Sequence, residues 1–128
     1  PEAAGGFKLQ ADMTYALSEK DGDTYVNSAK SYSKTEQGKK PEELHKTANR
    51  IAKEFPAHEK AMKLAAKLAK KAVKADPTTR HKVTYAYLLD QNGKNAKAIK
   101  VLEKAIADPD TSTDRRTAEQ LLERLKNQ

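Results

Sequence analysis

The stretch from Ala65 to Pro77, AAKLAKKAVKADP, constrains this chain more than any other. Ala65, Leu68, Ala72 and Ala75 recur at steps of three and four, as one helix face requires, and Ala66, Ala69 and Val73 widen that face. Lys63, Lys67, Lys70, Lys71 and Lys74 occupy the other side. A face made mostly of alanine lets helix axes approach closely, so this helix is expected to lie among other helices. Pro77 stops it, because the residue before a proline is pushed out of helical geometry. The same ending returns at Ala98, Leu102 and Ala105, followed by Ala107, Asp108 and Pro109, which makes an internal repeat.

The rest of the chain agrees with helices. Its 128 residues suit one domain. Aromatics are only 5%, tryptophan is absent, and alanine, lysine, glutamate and leucine abound, which argues against a sheet core. Residues 1–6, PEAAGG, read as a linker or disordered end, leaving 7–128 as a single helical domain. A first helix is expected over about 8–20, burying Leu9, Met13, Ala16 and Leu17. A second follows from an Asp23 N-cap to about Glu36, with Val26, Ala29 and Tyr32 inward and Gly38 in the loop beyond it. Pro41 opens a third, with Glu42 and Glu43 at the positive end of its dipole. It buries Leu44, Ala48, Ile51, Ala52 and Phe55 and ends at Pro56. The fourth runs from about His58 to Ala75. The fifth, with Val83, Tyr85, Ala86, Leu88 and Leu89 inward, stops at Asn92-Gly93, and the sixth spans about 95–107. The polar segment 110–114 offers N-caps for a seventh, which buries Ala118, Leu121, Leu122 and Leu125 and keeps a polar outer side, as a capping helix does.

From about Leu44 to Pro109 the chain resembles two tetratricopeptide repeats. Ile51-Ala52 and Phe55, then Ala65, Ala69, Ala72 and Pro77, stand at the family's places in the first. Tyr85-Ala86, Leu89 and Gly93, then Ala98, Leu102, Ala105 and Pro109, do so in the second. There are departures. Ala48 and Lys82 stand where the family has a large aromatic, and Ala69 replaces a bulky residue. The first repeat has one extra residue between its helices, and the second is one residue short before its proline. The resemblance implies an all-α, tetratricopeptide-like right-handed superhelix of antiparallel helix pairs with a C-terminal capping helix. The run TYAYLLDQNGKNAKAIKVLEKAI also looks like the C-terminal helical region of Bacteroidetes-type thioredoxin-family proteins. That likeness implies an N-terminal redox domain in a parent chain and a periplasmic or cell-envelope setting. A chain that begins at Pro1 rather than Met is expected of a mature product or an excised domain.

Catalytic and metal chemistry find little here. No cysteine is present, which removes thiolate catalysis and cysteine-ligated metal. His45, His58 and His81 are not paired at helical spacing, and surface positions are expected for all three. Asp21-Gly22-Asp23 and Asp90-Gln91-Asn92-Gly93 lack the ligand order of a calcium loop and read as turns. No enzyme activity, metal or cofactor is therefore expected. No apolar run approaches the ~20 residues that span a bilayer. The net charge of +7 and the run Lys60, Lys63, Lys67, Lys70, Lys71, Lys74 read as a solvated face. Lysine without interleaved arginine and aromatics argues against nucleic acid.

One constellation points to a partner. In tetratricopeptide arrays the first helix of each pair lines the concave groove. Here that helix offers Lys46, Asn49, Arg50 and Lys53, and the next first helix offers Arg80, Thr84, Tyr87 and Gln91. The resemblance implies a carboxylate grip by Lys46 and Arg50, helped by Asn49, because ammonium and guanidinium make charge-assisted hydrogen bonds. The expectation is a non-catalytic interaction or scaffolding module that takes a protein or an acidic peptide segment in this groove. The alternative is a structural appendage or dimerisation domain for a thioredoxin-like partner domain.

Overall fold

The computed structural model describes residues 2–108 and 114–128. All regular structure among the described residues is helical: α1 (Glu2–Ser18), α2 (Gly22–Tyr32), α3 (Pro41–Glu54), α4 (Glu59–Ala75), α5 (Thr79–Gln91), α6 (Asn95–Ala107) and α7 (Asp114–Lys126). Pro109 and the N-cap candidates at 110–113 lie outside the described residues.

Local chemistry explains most boundaries. Pro41 opens α3, and Glu42 and Glu43 follow in its first turn. Thr78 caps α5 by accepting the His81 N–H. Gly93, at φ 80°, ends α5: its N–H donates to Asp90 O and that of Lys94 to Leu89 O, both at 2.9 Å. This is the Schellman closure that favours glycine. Lys20, at φ 56°, closes α1 in the same way, with Asp21 N–H donating to Ala16 O at 2.9 Å.

Three boundaries differ from expectation. Helix α1 begins at Glu2, ahead of the start expected at about Lys8. The N-cap of α2 is Asp21, not Asp23, because the Asp21 carboxylate lies three residues before the Thr24 N–H that it accepts. Helix α2 ends at Tyr32 rather than near Glu36. There the Thr35 hydroxyl donates to Tyr32 O and accepts the Gly38 N–H, which closes a turn.

Consecutive helices pair as hairpins, α1 with α2, α3 with α4 and α5 with α6, while α7 packs on α5 and α6. Helix α4 touches α2, α3 and α5. Its buried face, Ala61, Met62, Leu64, Ala65, Leu68, Ala69 and Ala72, is rotated from the expected one: Ala75 is exposed, and Ala66 and Val73 are half-buried. Packing on three neighbours draws Met62 and Leu64 inward. Asn92 locks α5 to α4 by donating to Met62 O at 3.1 Å. At the far end, Asn95 of α6 donates to Leu125 O of α7 at 3.2 Å.

Candidate functional site

Helices α3 and α5 lie side by side with their starts together. At those starts, Arg80 Nη1 donates to both carboxylate oxygens of Glu42, at 3.0 and 3.2 Å. Behind this pair His45 and His81 meet, Nδ1 to Nδ1, at 3.0 Å. They are 4% and 1% exposed, so the surface positions expected for these two histidines are corrected. His81 continues the inward stripe of Tyr85, Leu88 and Leu89, a signal the sequence carried. Each ring satisfies the other, and His81 Nε2 lies 3.4 Å from Asp76 Oδ2 and 3.7 Å from Glu42 Oε1. The carboxylates favour a proton on that Nε2, so a neutral His81 accepts at Nδ1 and His45 donates. Burial, then the Arg80 guanidinium and the His81 ring, hold His45 below its ordinary value.

His58 is half-buried, also short of the expected surface position. Its Nδ1 accepts the Ala61 N–H and caps α4, while Nε2 meets Asp23 at 2.9 Å. The ring lies over Gly22, where a Cβ would come within 2.4 Å of Cδ2.

Beyond the Glu42–Arg80 pair, α3, α5 and α7 line a cleft of about 470 Å³. Asn49, Thr84 and Tyr87 line it from α3 and α5, and Thr117, Gln120 and Arg124 from α7. No carboxylate lines this cleft, and Arg124 makes no ion pair among the described residues. Sequence spacing does not single out Arg124, because nothing within α7 reveals that α7 reaches α5.

The eight expected groove residues are thus divided. Asn49, Thr84 and Tyr87 share the α3–α5–α7 cleft. Lys46 and Arg50 line a different cleft, with Gln10, Met13 and Leu17 of α1. There Lys46 pairs with Glu43 at 3.4 Å and Arg50 lies 3.9 Å from Glu54. Arg80 is held by Glu42, and Lys53 and Gln91 are exposed and line neither cleft. Lys46 and Arg50 therefore do not share a cleft with Tyr87 as one clamp.

Among the described residues no cluster of three or more His, Asp or Glu is placed to hold a metal ion, and no helix is long and apolar enough to cross a membrane. Comparison with protein-family models, with curated proteins and with solved structures gives no match.

Proposed function

We propose that the chain is a non-catalytic protein-interaction module that takes an acidic peptide segment in the α3–α5–α7 cleft. The observation that carries this is the lining of that cleft: amide and hydroxyl donors, the half-buried Tyr87 ring and, among the described residues, an unpaired Arg124 and no carboxylate. A half-buried tyrosine offers apolar area with a polar tip, and an unpaired guanidinium can grip a carboxylate bidentately. The proposal extends to architecture, a tetratricopeptide-like right-handed superhelix. Its support is the order of packing: hairpins in succession, with α3 beside α5 and α5 beside α7. On this reading Asn49, Thr84, Tyr87 and Arg124 bind, while Lys46 and Arg50 line the neighbouring cleft.

The test is selection from a random peptide library displayed with free C-termini. Enrichment of aspartate and glutamate is expected, and a Tyr87→Ala, Arg124→Ala double variant should lose the selected peptides while keeping its melting temperature. Selected peptides that bind this variant unchanged would place binding elsewhere. The second reading, a structural appendage or dimerisation domain, is favoured by Phe7 and Tyr15, which leave two rings 75% and 66% exposed on α1. Concentration-dependent mass in light scattering, abolished by Phe7→Ser and Tyr15→Ser, would select it.

A further inference from the structure

On the other side of the molecule, α4 and the start of α6 enclose a cleft of about 310 Å³. Lys63, Lys67 and Lys70 line it from α4, and Lys94 and Lys97 from the beginning of α6. No carboxylate lines it. Lys63 pairs with Glu59 at 3.3 Å, whereas Lys67, Lys70, Lys94 and Lys97 make no ion pair among the described residues. Concentrating like charges around one concavity raises their mutual repulsion, which a bound anion would relieve. Helix α6 also starts without a side-chain cap, so the first-turn N–H groups and the positive dipole end add to the field.

A second observation is independent of charge. Tyr85, from α5, also lines the cleft, is only 7% exposed, and its hydroxyl has no hydrogen-bond partner among the described residues. Buried tyrosine hydroxyls are ordinarily partnered, because an unmet polar group in a desolvated place is costly. Burial raises this phenol above its ordinary value, so at neutral pH it is a proton donor.

We propose that this cleft binds a compact phosphate-bearing anion, with the Tyr85 hydroxyl donating to a phosphate oxygen and the lysines from α4 and α6 neutralising its charge. A phosphate group brings close to two negative charges and three strong acceptor oxygens, which suits several ammonium groups and one buried donor. The volume lies at the small end of ligand pockets, which favours a small ligand or an isolated headgroup over a macromolecular surface.

The probe is inorganic tripolyphosphate, titrated into the whole chain at physiological ionic strength and followed by calorimetry. Saturable binding at one site is expected. Tyr85→Phe should weaken it roughly tenfold, as loss of one hydrogen bond to a charged group does, without lowering the melting temperature. Lys67→Ala with Lys97→Ala should weaken it further. Lys71→Ala with Lys74→Ala, on the same helix but off the cleft, should leave it unchanged. Equal losses in the two lysine pairs, or a Tyr85→Phe variant that binds like the parent, would reduce the feature to a diffuse basic face and overturn the proposal. Vesicles containing phosphoinositide settle the source: capture that tripolyphosphate displaces and Tyr85→Phe weakens identifies a lipid headgroup, and no capture identifies a free phosphate compound. Binding to duplex DNA alone, indifferent to Tyr85→Phe, would also overturn it. The Tyr87→Ala, Arg124→Ala variant should bind tripolyphosphate normally, so the two clefts are tested separately.

Discussion

The two junctions that hold successive hairpins together solve the same packing problem with different chemistry. Between the first hairpin and α3, besides the exposed Lys20–Glu54 pair at 3.2 Å, the polar link is a phenol: Gln10 donates to the Tyr32 hydroxyl at 2.6 Å, which donates to Glu43 at 2.7 Å. Tyr25 packs at a tilt against Phe55 nearby, ring centres 5.4 Å apart. Between α3 and α5 the link is the buried His45–His81 pair, flanked by Glu42, Arg80 and Asp76. Burial, and for Tyr32 the Glu43 hydrogen bond as well, push both phenols up to about 12. His45 is instead held below its ordinary 6.5. The signs are opposite. A raised phenol contributes stability that is whole below pH 10 and lost as pH rises through about 12. A lowered imidazole contributes stability that is whole above 6.5 and lost as pH falls through its folded value. Alkali should therefore loosen the first junction and acid the second. Glu42, also held low, chiefly by Arg80, contributes only further down, below its ordinary 4.5.

The largest test of this comparison is steric and ignores protons. Ala72 on α4, one turn before Asp76, and Ala29 on α2 are both buried. Ala72→Leu should overpack and cost about 1–3 kcal/mol in urea unfolding, and Ala29→Leu a similar amount. A cost at only one of them would mean that the junctions differ in packing as well as in chemistry. Next comes Tyr32→Phe, which strips the Gln10 and Glu43 bonds and should cost about 1 kcal/mol at neutral pH. Its melting temperature should follow the parent from neutral to mildly acidic pH and decline less above pH 10, where the phenol of the unfolded parent ionises ahead of the folded one. His45→Leu leaves the buried His81 Nδ1 without its partner and should cost about 1–3 kcal/mol at neutral pH. Its signature is a flattened decline in melting temperature as pH falls from neutral to about 5. An unchanged decline would take the acid response away from the His45–His81 pair.

Local features were legible because their causes are local. Pro41, the Asn92-Gly93 stop and the 95–107 span of α6 follow from residues within one turn of each boundary. Ala65, Leu68, Ala69 and Ala72 were legible as core because periodicity reports a face. Periodicity fixes that face only to within a rotation, so Ala75 was assigned inward and Met62 overlooked. Of the candidate groove, Asn49, Thr84 and Tyr87 line one cleft. The division of Lys46 and Arg50 into another cleft was not legible, because helix spacing does not say which neighbour each side of α3 meets. The His45–His81 pair was hidden for the same reason: 36 residues separate partners that each look polar alone.

The order in which the helices pack has a kinetic consequence. Each helix meets its neighbour in sequence or the next but one, so few native contacts require a long loop to close before they form. Chains with such short-range wiring reach the native state in microseconds to milliseconds. Helix α4, which touches helices on both sides of it in the sequence, is the natural place for that process to begin. The α3–α4 hairpin would form as a nucleus, with α5 and α2 then condensing onto a surface already made of alanine.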